Sequence, residues 1–140
     1  MTHVRLFLDT SAFVSIEDLD DANHSRAVEF REKVRQGHTP FRSLYTSNYI
    51  VDETLTLLRF HCGHHVAVTF RQSLETSKLL GVLWVTDALE KVAWKIFEKR
   101  SDKEYSFTDC TSFALMAAEA IQNAFTFDEH FSQQGYNVVP

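Results

Sequence analysis

Glycine and proline are scarce in this chain, 4 and 2 among 140 residues. So few breakers exclude a collagen-like or low-complexity chain and leave little room for flexible linkers. Cysteine is as rare: Cys62 and Cys110 do not make a disulfide framework. No apolar run approaches the ~20 residues that span a bilayer, so no membrane association is expected. The apolar stretch near Met1 is too short for the core of a secretion signal, and the expected compartment is the cytoplasm. A basic excess is missing too. The formal net charge of -5 removes the cationic footprint of a passive nucleic-acid binder. It leaves room for a nuclease, which can hold acids in its cleft, neutralise them with metal ions and touch phosphates with a few local cations.

What is present suits one soluble domain with a real core, at 44% hydrophobic and 24% charged residues. Val4 to Leu8, broken only by Arg5, reads as a central parallel strand buried on both faces. Asp9 ends it, at the carboxyl edge of the sheet. Asp20 and Asp21 offer a cap for a helix to about Gln36, with His24, Ala27, Val28 and Val34 as its apolar stripe. Leu44 to Thr46 is a short strand. A helix capped by Thr46 or Ser47 follows, to about Cys62, and another covers 64–80. Val82 to Val85 reads as a buried strand. Asp87 and Glu90 suggest a capping box for the next helix, with Leu89, Val92, Ala93, Ile96 and Phe97 inward. Trp84 and Trp94 read as core. Ser106 opens a helix of small residues, a short buried strand ends near Asp128, and Asn137 to Val139 forms a last edge strand. Alternating strands and helices predict an α/β fold with a largely parallel sheet.

Four acids share one description. Asp9 and Asp128 follow buried strands. Glu53 lies on the face defined by Ile50, Thr54, Leu57 and Leu58, whereas Asp52 is turned about 100° towards solvent. Asp109 precedes Phe113, Met116 and Ala117 on a buried stripe. Plainer readings exist for each: a helix cap near Ser11 for Asp9, a rim position beside an arginine for Glu53, a capping box with Ser106 for Asp109, a turn for Asp128. Four carboxylates at one sheet edge repel by about 4 kcal/mol per close pair at an effective dielectric near 20. Cations resolve that repulsion, and oxygen ligands suit Mg²⁺ or Mn²⁺ better than zinc. The tract His61, Cys62, Gly63, His64, His65 has metal-binding composition, but its glycine marks a helix end and no distant ligand pair accompanies it. His130 and Cys110 read as structural.

Leu-Phe-Leu-Asp-Thr-Ser-Ala-Phe (6–13), Glu53 in a helix after a short strand, Ser-Phe-Thr-Asp (106–109) and Phe-Thr-Phe-Asp-Glu-His-Phe (125–131) resemble the PIN-domain ribonucleases. The likeness is to the VapC-like toxins of toxin–antitoxin pairs in particular and runs over nearly the whole chain. It implies a single PIN domain over 1–140, with a three-layer α/β/α fold. It also implies an Mg²⁺-dependent endoribonuclease, with Mn²⁺ as the alternative ion. The family's acidic quartet falls on Asp9, Glu53, Asp109 and Asp128, and a small hydroxyl position on Ser11. The same resemblance implies an RNA substrate, an antitoxin peptide that brings an arginine to the acids, and a homodimer built on 48–78. A haloacid-dehalogenase-like phosphatase needs a second aspartate two residues after the first, where Ser11 stands. A degenerate PIN-like module that binds RNA or protein without cutting is the non-enzymatic alternative.

Overall fold

The protein is described over residues 4–140 from a computed structural model. Residues 1–3, part of the stretch read above for a secretion signal, lie outside the described residues. The chain runs β1 (Val4–Leu8), α1 (Thr10–Glu17), α2 (His24–Arg35), β2 (Phe41–Ser47), α3 (Asn48–Cys62) and α4 (His64–Thr76). It continues through β3 (Leu80–Leu83), α5 (Asp87–Lys99), α6 (Phe107–Glu119), β4 (Asn123–Phe125), α7 (His130–Gln133) and β5 (Asn137–Val139).

All strand pairs are parallel, in the order β3-β2-β1-β4-β5. Parallel strands need covered faces, and here helices supply the cover. Successive side chains of β1 alternate: Leu6 and Leu8 look towards Phe13 and Ile16 of α1, Val34 of α2 and Phe70 of α4, so Phe7 points to the other face. The chain builds outward from β1 through β2 to β3, then crosses back to β4 on the far side of β1. Right-handed crossovers in opposite directions put the later helices on the opposite face. The result is the expected three-layer α/β/α arrangement. Its switch point lies between the carboxyl ends of β1 and β4, where open α/β sheets bind ligands.

The core fills both faces with large side chains. Leu6, Phe7, Ile50, Leu58, Phe113, Leu115, Phe125 and Phe131 are fully buried. Phe113 meets Tyr105 and Phe131 edge-on at 4.9 and 5.0 Å, a geometry that aligns the positive edge of one ring with the negative face of the next. The small residues Cys110, Thr111, Ser112 and Ala114 are all buried on α6. They let that helix lie close to its neighbours.

Several expected boundaries move. The helix offered near Ser11 as the plainer reading of Asp9 is present as α1, which begins at Thr10 with Asp9 as its cap, whereas α7 has no counterpart in the sequence analysis. Asp20 and Asp21 do not cap α2: its N-cap is Asn23, because the Asp21 carboxylate instead accepts bonds from Ser15 Oγ and the Asn23 backbone. Phe30, absent from the expected stripe, is buried there with Ala27 and Val34, while Val28 is half-buried. The helix expected over 64–80 ends at Thr76, and Leu80 opens β3. Thr86, not Asp87, caps α5, accepting from the Leu89 N–H. The expected burial of the third strand and of both tryptophans is also corrected. β3 pairs with β2 alone at the sheet edge, which leaves Val82 and Trp84 46% and 69% exposed, and Trp94 on the outer side of α5 is 53% exposed.

Candidate active site

A cleft of about 690 Å³ opens at the switch point. Asp9, Glu53, Asp109 and Asp128 all line it, together with Ser11, Ser106, Phe127 and His130. The placement follows from the elements. Asp9 ends β1, Glu53 reaches in from α3, Asp109 stands in the first turn of α6, and Asp128 lies three residues beyond β4 rather than at its end. Asp52 is exposed, as the helical phase predicts. Glu53 is half-buried and forms no ion pair among the described residues, so its rim-and-arginine reading fails. The His61 to His65 tract contributes to no metal-like cluster among the described residues.

Asp9 is held by hydroxyls. Its Oδ2 accepts from Ser11 Oγ at 3.0 Å and from Thr126 Oγ1 at 2.9 Å, with the Ser11 N–H farther off at 3.5 Å. A hydroxyl has a single proton to donate. Ser11 Oγ accepts from the Phe127 N–H and Thr126 Oγ1 from the Asp128 N–H, and the two hydroxyls also lie 3.0 Å apart. With the backbone N–H groups donating to them, both hydroxyls are free to donate to the carboxylate. This small net also ties the β1–α1 corner to the loop carrying Asp128. Thr126 is the residue the sequence reading missed.

Asp109 satisfies its plainer reading and the site reading together. Ser106 Oγ accepts from the Asp109 N–H, and Asp109 Oδ2 accepts from the Ser106 N–H, each at 3.0 Å. That is a complete capping box. The same Oδ2 lies 2.9 Å from His130 Nδ1, and His130 Nδ1 lies 3.2 Å from Asp128 Oδ1. His130 thus bridges the two acids, and the expectation of a merely structural loop histidine is too narrow.

Burial sets the electrostatics. It pushes the Asp9 pKa up to about 7, helped by the Asp109 charge and only partly offset by Thr126 and Ser11. Burial also raises the Asp109 pKa, against the pull of the Ser106 backbone and His130. For His130, burial opposes protonation, but the Asp109 bond and the charges of Asp128, Asp109 and Glu129 outweigh it and raise its pKa. A carboxylate this uncomfortable and this well fixed fits a cation site. Asp109, Asp128 and His130 place one ligand atom each within 4.8 Å of one another.

An all-parallel 3-2-1-4-5 sheet with carboxylates gathered at its switch point defines an α/β/α protein of the PIN type. The chain belongs to the PIN-domain family, whose profile matches residues 6–135. Within it, the chain is 37% identical over 131 residues to the 23S rRNA-specific endonuclease VapC20 of Mycobacterium tuberculosis, covering 94% of this chain and 95% of that one. The crystal structure of that protein, described as a sarcin–ricin loop cleaving toxin, superposes with a TM-score of 0.83. A VapC ribonuclease of Archaeoglobus fulgidus is 29% identical over 126 residues, 89% of this chain and 78% of that one. FitAcB of Neisseria gonorrhoeae, at 17% identity, shares the fold with a TM-score of 0.68 over 96% of both chains. No helix among the described residues is long and apolar enough to cross a membrane.

Proposed function

We propose that this chain is a metal-dependent endoribonuclease of the VapC kind, with large-subunit ribosomal RNA as its substrate. One observation carries the reading: Asp9, Glu53, Asp109 and Asp128 line a single cleft in a chain 37% identical to a 23S rRNA-specific endonuclease. Asp9 and Asp109 would hold Mg²⁺, or Mn²⁺, directly, with Asp128 as a further ligand and Glu53 acting through water. Bound there, the ion supplies the Lewis acidity that lowers the pKa of a water and offsets charge on the phosphate. Ser11 and Thr126 hold Asp9 in one rotamer, and Ser106 holds Asp109. His130 keeps Asp109 and Asp128 together, offering its Nδ1 proton to either.

The partners follow from the same cleft. Seven carboxylates line it and neither lysine nor arginine does, which suits an antitoxin peptide that inserts an arginine. The exposed Phe60 and Val68 favour the homodimer surface on 48–78. An RNA substrate supports a cytoplasmic location.

The test is primer-extension mapping of 23S rRNA and intact ribosomes after exposure to the purified chain. Cleavage at one position in Mg²⁺ or Mn²⁺, lost in EDTA and in Asp9→Asn, is the expected result. Binding without cleavage in both metals would select the non-enzymatic module.

A further inference from the structure

The acid-lined cleft poses a problem for an RNA strand, and one residue at its edge answers it. Phe127 sits in the cleft wall beside Asp128. The Arg26 guanidinium lies over its ring, 5.4 Å from the centroid. Arg26 belongs to the first turn of α2, three residues after Asn23, which itself lines the cleft. Arg26 is exposed and forms no ion pair with an Asp or Glu side chain among the described residues. Among the described residues its guanidinium makes one hydrogen bond, a long one of 3.5 Å, to Pro140 O.

This arrangement differs from the other arginine contacts on α2. Arg31 and Arg35 each face Glu32, which cancels their charge locally. An aromatic face orients a guanidinium without neutralising it. Arg26 therefore presents a cation that no Asp or Glu side chain neutralises, beside a cleft whose lining holds neither lysine nor arginine. RNA offers phosphates on either side of the bond to be cut. A metal ion would serve the phosphate at the acids, which leaves the neighbouring phosphate without a counter-charge.

We propose that Arg26, stacked on Phe127, is a substrate-positioning residue that binds the RNA phosphate next to the scissile one. The inference rests on the ribonuclease reading and adds the direction from which the strand enters: along the α2 N-terminus and past Phe127. Phe127 acts through Arg26, by holding its plane.

The experiment compares wild type, Arg26→Ala, Arg26→Lys and Phe127→Leu, each checked for folding by circular dichroism. Steady-state cleavage in Mg²⁺ gives kcat and KM. RNA affinity against KCl concentration, measured in an Asp128→Asn background, gives the salt slope. Arg26→Ala is expected to raise KM about tenfold with kcat within about a factor of two, and to make the log–log slope shallower by about 0.7. Arg26→Lys keeps the slope. Phe127→Leu raises KM by less and also keeps the slope. A purely structural role would move none of these in a folded variant. An Arg26→Ala enzyme with wild-type KM and slope, or one that loses kcat alone, overturns the proposal. Absence of cleavage by the wild type counts against the ribonuclease reading instead, and the salt slopes still decide Arg26. A wild type that binds no RNA overturns both.

Discussion

Two strand ends of the same sheet have opposite fates. The carboxyl end of β1 is enclosed: Leu6, Phe7 and Leu8 are buried, and Asp9 after them is 4% exposed and held by two hydroxyls. The end of β3 lies open, with Val82 and Trp84 facing solvent. Both segments are short apolar runs followed by a polar residue and a helix. Position in the sheet separates them. A central parallel strand has neighbours on both sides and helices on both faces, whereas an edge strand keeps one side free. Chemistry concentrates at the enclosed end because burial makes a charge costly and therefore reactive towards cations.

The largest effect that tests this contrast is on activity. Asp9→Asn should lower RNA cleavage about 10³-fold, with the circular dichroism spectrum unchanged, since an amide keeps the shape and loses the charge. A variant that retains a tenth of the activity would remove Asp9 from the ligand set.

The pH dependence of the metal-free protein comes next. The folded pKa of Asp9, about 7, lies above the 3.8 of a free aspartate. Folded protein therefore keeps a proton that the unfolded chain releases. Stability is fully present below about pH 4, falls as pH rises, and levels off above about pH 7, with a total loss on the order of 4 kcal/mol. Urea titrations in EDTA should show this decline for the wild type and a flatter curve for Asp9→Asn. Identical curves would mean that Asp9 is ionised without strain.

Metal should reverse that loss. At pH 8 and about a hundred times its dissociation constant, Mg²⁺ should stabilise the wild type by about 2.7 kcal/mol. The same ion should do little for Asp9→Asn or Asp109→Asn. Thermal melts with Mg²⁺ and with EDTA read the difference directly.

Thr126→Val removes the hydroxyl that joins Asp9 to the Asp128 N–H. It should destabilise the fold by about 1–3 kcal/mol, because two buried partners lose a bond. Measured in EDTA below pH 5, where Asp9 is protonated, the loss should shrink.

At the open end the expected effect is smallest. Trp84→Ala should change stability by less than about 0.5 kcal/mol, as surface replacements do. A loss of several kcal/mol in a chain kept monomeric would show that β3 is covered after all.

Much of this protein is legible from residue order alone. The alternation of apolar runs with amphipathic segments requires an α/β fold, because parallel strands must be separated by crossovers. An acid directly after a buried strand, and another one turn into a helix, land at the same sheet edge for the same reason. Local rules also placed Ser106 as a cap and narrowed the α3 cap to Thr46 or Ser47, of which Ser47 serves, since a side-chain oxygen reaching the third N–H needs only the neighbouring residues. Tertiary structure decided the rest. It turned Val82 and Trp84 outward by placing β3 at the edge, and drew Asp21 away from α2 to Ser15. It joined Thr126 to Asp9 across 117 residues of chain, and His130 to Asp109 across 21. Such contacts depend on which strand lies beside which, and that order is settled by packing the whole sheet, not by any local stretch of the chain.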